Sequence, residues 1–239
     1  MKRVQLEAVG WAGAGAAFGA LVLLAGALAL QWQTDRLSPL GALAALGYLL
    51  VSNALLVEGL RRHRSERFGP ANAVTSMRST IVGLITGLVV ASWSGEIPVP
   101  LLVGLAVPAL ALDAVDGWIA RRTGTTSELG ARFDMEVDAF LLLVLGVYVA
   151  QAFGPWVLAI GLLRYAFVAA AWVWPWMRRT LPYRYWRKVV TAVAGIALTF
   201  AATGLVPALA AVLVAAALAL LVESFGRDVL WLAARRREP

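Results

Sequence analysis

Eight apolar stretches, each long enough to approach or cross the thickness of a bilayer, govern what this chain can fold into. They run roughly from Val9 to Gln31, Leu40 to Leu60, Val74 to Trp93, Pro100 to Ala120, Phe133 to Phe153, Trp156 to Trp174, Val189 to Thr203 and Pro207 to Val222. In hydrocarbon no water satisfies a backbone N–H or C=O, so such segments are expected to be helical. The predicted class is all-α, a polytopic helical membrane protein. Composition agrees, because 61% of the 239 residues are hydrophobic and only 15% are charged, where a soluble domain carries roughly a quarter charged residues. The chain has no cysteine, which excludes disulfides, thiolate metal sites and a cysteine nucleophile.

The charges sort by side. Lys2 and Arg3, then Arg61, Arg62, Arg64 and Arg67, then Arg121, Arg122 and Arg132 fall in alternate connections, followed by Arg178, Arg179, Arg184, Arg187 and Lys188. Arg227 and Arg235 to Arg237 close the chain on the same side. The opposite connections, QWQTDRLSP, WSGEIPVP, FGP and TGLVP, hold one basic residue, Arg36. Basic residues favour the untranslocated side, so a multi-pass protein of the cell membrane is expected, with both termini cytoplasmic. The net charge of +7 is then a topology signal and needs no nucleic acid. The first segment resembles a signal peptide. Its length and Glu7 favour its retention as a span.

One stretch breaks the apolar pattern, Asp113 to Asp138, DAVDGWIARRTGTTSELGARFDMEVD. Asp113 and Asp116 are three apart at the end of one span, and Asp134 and Asp138 four apart at the start of the next. Each pair therefore shares a helix face. The intervening RRTGTTSELGAR has the composition of a loop that reverses the chain. Such a hairpin can aim both pairs at one point at the cytoplasmic membrane edge, where four carboxylates repel one another unless a cation sits among them. Hard oxygen donors without histidine or cysteine suit Mg²⁺ or Mn²⁺, and four carboxylates can hold two ions. The ligand such ions imply is a pyrophosphate or a nucleotide. Gly117 and Gly130 would let a backbone or a ligand approach closely. The alternative is that the acids cap helices, pair with Arg121, Arg122 and Arg132, or face solvent. That alternative weakens for four acids on two matched faces.

The same residues resemble the signature of the CDP-alcohol phosphotransferase (CDP-alcohol phosphatidyltransferase) family, D-x2-D-G-x2-A-R-x8-G-x3-D-x3-D. Here it reads Asp113, Asp116, Gly117, Ala120, Arg121, Gly130, Asp134 and Asp138, every spacing kept. A weaker resemblance precedes it, NAVTSMR, with Asn72, Thr75 and Arg78 matching a family Asn-x-x-Thr-x-x-Arg segment. The resemblance covers about Pro70 to Val222. It implies a six-span catalytic domain over 70–239, with two extra transmembrane helices and a basic loop over 1–69. It further implies transfer of a substituted phosphate from a CDP-linked lipid donor to a small alcohol acceptor, with release of CMP, in a cavity open to the cytoplasm. By that resemblance Asp113, Asp116 and Asp134 are metal ligands. Asp138 is the general base on the acceptor hydroxyl, alone or while also touching the second ion. Gly117, Ala120, Arg121, Gly130 and Thr75 would lie at the nucleotide. Family members are commonly homodimers, and the same is expected here.

The acceptor is a separate question. Arg164 stands about nine residues into an apolar span, an expensive place for a charge. It would pair with Asp134, Glu136 or Asp138, or hold an acceptor phosphate. Arg132, Arg184, Arg187 and Lys188 would complete an anionic pocket or serve only as topology charges. Together they favour a phosphorylated polyol such as glycerol 3-phosphate, with CDP-diacylglycerol as donor, in phospholipid biosynthesis. Cardiolipin-type synthesis and CDP-choline or CDP-ethanolamine transfer are the alternatives within the family. Outside it stand a transporter, whose acids would spread through several spans, and an inactive scaffold, whose signature would show losses. The C-terminal SFGRDVLWLAARRREP is expected to run along the membrane surface.

Overall fold

The computed structural model describes residues 38–62, 70–123, 128–182 and 184–236. At 70–76, 114–123 and 128–131 it describes the helical backbone alone. The expected first span, Val9 to Gln31, and the basic loop at 63–69 lie outside the described residues. Among those described there is no strand, and seven α-helices follow one another. They are α1 (Pro39–Arg62), α2 (Pro70–Ala91), α3 (Val99–Thr123), α4 (Glu128–Phe153), α5 (Ala159–Val173), α6 (Tyr185–Ala202) and α7 (Pro207–Ala234). Short 3₁₀ turns at Pro155–Leu158 and Pro175–Arg178 flank α5.

Proline marks many of the starts. Pro39, Pro70 and Pro207 each open a helix and Pro155 and Pro175 open the two turns, where a missing N–H costs nothing and the ring pre-sets φ. Pro108 is the exception, inside α3. The connections before α5 and α7 turn on Gly154 (φ 95°) and Gly204 (φ 66°), backbone conformations that only glycine adopts without strain.

The described residues divide within α4 into two compact units, at Phe140 and Leu141. In the first, α2 packs against α1 on one side and α3 on the other. Its apolar core includes Val82, Ile85, Leu88 and Val89 of α2 with Leu102, Ala106 and Ala109 of α3. In the second, α7 packs along α6 and also touches α5. The α7 residues Ala210, Val214, Ala217, Leu221, Ser224, Asp228 and Leu232 are buried, a stripe of three- and four-residue steps along one face.

The burial pattern is that of helices in lipid. Leu40, Leu43, Leu50, Val51 and Leu55 of α1 are exposed, while Ser52 is buried; Ile196 and Val212 are exposed, while Thr199, Ser224 and Asp228 are buried. Because acyl chains are as apolar as leucine, helices there gain nothing by hiding large apolar side chains. They associate through small residues and polar links. The α1–α2 contact follows this rule: a Cβ added to Gly41 would stand 2.5 Å from the Gly87 carbonyl oxygen and 3.2 Å from Ala91 Cβ. Pro155–Val173 and Pro207–Ala234 are each long and apolar enough to cross a membrane, and Pro39–Leu55, Met77–Ala91 and Val99–Asp113 are shorter apolar helices.

Three expectations need correcting. The reversal expected over RRTGTTSELGAR is much shorter, because α3 continues to Thr123 and α4 begins at Glu128. Gly117 and Gly130 therefore sit in helices. The third span, expected from Val74, starts earlier, because α2 begins at Pro70 and takes in all of NAVTSMR. The surface helix expected after Val222 is no separate element, since α7 runs unbroken to Ala234. Gly226 alone does not stop it, and an ion pair between Glu223 and Arg227 one turn apart supports the continuation.

The close α1–α2 approach yields a test. Gly41→Leu should destabilise the detergent-solubilised protein by about 1–3 kcal/mol, the usual cost of overpacking, read as a lower thermal midpoint. Gly47→Leu, on a face with nothing within 4 Å, should leave the midpoint unchanged.

Candidate active site

The first unit holds a concentrated set of charges. Arg78 lies on α2 at 0% exposure, fixed by a helix whose neighbouring positions Ser79, Thr80 and Val82 are also buried. Asp113 lies toward the end of α3, and Asp134 and Asp138 in the first turns of α4. Three helices thus deliver four ionisable side chains to one place.

The guanidinium is the centre of this arrangement. Arg78 Nη1 donates to Asp138 Oδ1 at 2.7 Å and lies 3.1 Å from Asp113 Oδ1. Its Nη2 donates to an Asp134 carboxylate oxygen and, at 3.3 Å, to the Asp134 backbone carbonyl. A planar fork of donors suits this task, since one arginine can address several carboxylates at once where a lysine ammonium is a single point. The carboxylates keep between 20 and 27% exposure while the guanidinium has none. The acidic side of the cluster is therefore the side a ligand can reach.

These four side chains carry a formal charge of −2 when ionised, three carboxylates less one guanidinium. One oxygen from each of Asp113, Asp134 and Asp138 lies within 4.8 Å of the others. Asp113 Oδ1 is buried and accepts no hydrogen bond. An all-oxygen, net-negative donor set fits a hard divalent cation. At about 4 Å, like charges repel by roughly 4 kcal/mol at the effective dielectric of a protein edge. Such a cluster therefore needs positive charge to persist.

Asp113, Asp134 and Asp138 are thus brought together. Asp116, Gly117, Ala120 and Arg121 follow on α3, Gly130 on α4 and Thr75 on α2, with their side chains outside the described residues. Arg132 is exposed on α4. Arg78, legible in the sequence only as the end of the NAVTSMR match, brings a guanidinium to Asp134 and Asp138.

The second unit holds the remaining basic candidates. Arg164 is half-buried on α5, and Lys188 is exposed on α6. Arg187 is engaged by a residue the spacing did not single out: its Nε lies 2.8 Å from Asp228 Oδ2 and its Nη2 donates to Asp228 Oδ1 at 3.0 Å. Arg187 also donates to the Pro182 carbonyl at 2.9 Å, and Arg184 approaches Asp228 at 3.8 Å. Asp228 was detectable in principle as the acidic member of the α7 stripe.

A family model described as CDP-alcohol phosphatidyltransferase matches residues 68–223, which span α2 to α6 and most of α7. No curated protein and no solved structure matches the chain.

The buried guanidinium generates its own test. Arg78→Met strands the carboxylates, and breaking a buried charge set typically costs about 3–5 kcal/mol. The variant should melt well below wild type in EDTA and regain part of the difference in Mn²⁺. A melting curve indifferent to both the substitution and the cation would contradict this account of the cluster.

Proposed function

Because the chain belongs to the CDP-alcohol phosphatidyltransferase family, a family of membrane-integral transferases acting on CDP-alcohols, we propose that it transfers the phosphatidyl group of CDP-diacylglycerol to a small phosphorylated polyol such as glycerol 3-phosphate, releasing CMP. The observation that carries this reading is the convergence of Asp113, Asp134 and Asp138, three of the four signature acids, on one open-sided cluster.

We assign Asp113, Asp116, Asp134 and Asp138 to a site for Mg²⁺ or Mn²⁺, and two ions match the number of carboxylates. When bound, such ions spread the charge of the donor pyrophosphate and stabilise CMP as it departs. Asp138 takes the proton from the acceptor hydroxyl as the new oxygen–phosphorus bond forms. The bond that breaks joins that same phosphorus to the bridging oxygen of the pyrophosphate, and CMP leaves with the electron pair. No covalent enzyme intermediate is required. Arg78 holds the carboxylates at one place, so that the donor meets a formed site.

Gly117, Ala120, Arg121, Gly130 and Thr75 are assigned to the nucleotide, by their match to the family signature and its companion segment. For the acceptor phosphate Arg164 is the first candidate, since a guanidinium on an apolar helix is costly unless it serves something. Lys188 and Arg132 rank behind it. Arg187 ranks last, because Asp228 already occupies its guanidinium. We further read residues 70–239 as the catalytic domain, 1–69 as an addition, the termini and active site as cytoplasmic, and the protein as a multi-pass homodimer of the cell membrane.

The deciding experiment measures CMP release by purified protein with Mg²⁺ and CDP-diacylglycerol. Glycerol 3-phosphate, inositol phosphate, serine and phosphatidylglycerol would be offered singly. Release is expected with a phosphorylated polyol, and Asp138→Asn should lower it by at least about 100-fold while remaining folded. Release with serine or phosphatidylglycerol instead would replace the acceptor assignment. Silence with every acceptor and with CDP-choline or CDP-ethanolamine would favour an inactive scaffold.

A further inference from the structure

Helix α1 lies outside the residues that define the family, which begin at 68, yet Tyr48 and Ser52 on it meet α2. Ser52 Oγ and Ser79 Oγ share a hydrogen bond of 2.7 Å, and Tyr48 Oη approaches the same Ser79 Oγ at 3.3 Å. Ser52 and Ser79 are 7 and 3% exposed. Ser79 is the residue next to Arg78. On its other side, the Tyr48 ring stacks on Phe140 of α4, with centroids 4.5 Å apart and planes 18° from parallel. Phe140 follows Asp138 by two residues.

Tyr48 therefore touches the backbone neighbourhoods of both the guanidinium and one of the carboxylates it holds. Three interactions from one helix fall at the level of the charged cluster. Gly41, Ala45 and Leu49 also contribute to the α1 contact and hold the two helices close. The hydroxyl pair and the stacked ring add directional contacts beside the charged cluster. Cross-helix hydrogen bonds in a membrane are individually weak, too little to account for folding but enough to bias a rotation.

We propose that α1 is part of the catalytic architecture, with Tyr48 and Ser52 as positioning residues that set the rotation of α2, and so aim Arg78 at Asp113, Asp134 and Asp138. The inference rests on the transferase reading above for its activity readout only. If the Arg78 helix turns, the carboxylate spacing changes, and with it the affinity of the site for a divalent cation. Thr75, assigned to the nucleotide, rides on the same helix, so Mn²⁺ affinity is the readout specific to the charged cluster.

The test uses the full chain in detergent micelles with four variants: Tyr48→Leu, Tyr48→Phe, Ser52→Ala and, as control, Leu50→Ala on the exposed face of α1, where Leu50 is 72% exposed. Two quantities are read: Mn²⁺ binding from the electron paramagnetic resonance signal of the free ion, and kcat and KM for CMP release. Tyr48→Leu should weaken Mn²⁺ binding several-fold and lower kcat about 10-fold, an ordinary penalty for small misplacement of a reacting group. Tyr48→Phe, which keeps the stack and loses the hydroxyl, should recover most of the loss, and Ser52→Ala should fall between. Leu50→Ala should match wild type. Folded Tyr48→Leu with wild-type Mn²⁺ affinity and kcat overturns the proposal; so does a loss confined to KM. Should Tyr48→Leu fail to fold, the double variant Tyr48→Phe with Ser52→Ala decides on the same two readouts. Wild type that binds Mn²⁺ but releases no CMP would defeat the transferase reading alone, and the Mn²⁺ affinities would still judge the role of α1.

Discussion

A single buried guanidinium organises the charged part of this molecule. Arg78 faces Asp113, Asp134 and Asp138 from three directions along two other helices, and none of the four could sit there alone. An arginine with no exposed surface is costly in a protein and more so in hydrocarbon. Three acids within a few ångströms of one another are costly for the opposite reason. Each cost is removed by the other, so the groups form a set that stands or falls together. The set is also unbalanced toward negative charge, which keeps it receptive to a further cation from the open side.

Everything around the cluster follows the logic of a solvent without water. Helices α1 and α2 meet at Gly41 and Gly87, with Leu40, Leu43 and Leu50 turned outward. Ser52, Arg78 and Ser79 are turned inward. The second unit repeats the pattern at Asp228, whose carboxylate is held by Arg187 on the neighbouring α6. In both units the inward polar groups are partnered across helices. That pairing gives specificity where apolar contact alone would leave helix order and rotation undetermined.

How much of this was legible depended on how local the information was. Helical class followed from the apolar runs, and the convergence of Asp113, Asp134 and Asp138 from three- and four-residue spacing on either side of a reversal. Where sequence reasoning drew boundaries by composition it erred. The Gly, Thr and Ser around Thr123 and Glu128 suggested a loop, but helix propensity is a weak prior that flanking turns override, so α3 and α4 run almost to each other. Likewise the charges after Val222 suggested an ending, while the buried spacing of Ser224, Asp228 and Leu232 continues α7. Arg78 was visible as a residue but not as the partner of the acids, because that pairing joins positions 35 to 60 residues apart by fold alone. Tyr48 and Ser52 carried no signal at all, since a tyrosine and a serine in an apolar run are ordinary until Ser79 is placed beside them.

The hydroxyl contacts of α1 bear on where this protein can be said to begin. Homology assigns a start at residue 68, after α1 has ended. Physics assigns another, because trimming at that point would strip Ser79, buried now, of Ser52 and Tyr48. The unit that is inherited and the unit that is stable are then of different lengths. A segment outside the family's match is, for this chain, packed and hydrogen-bonded against the helix that carries Arg78.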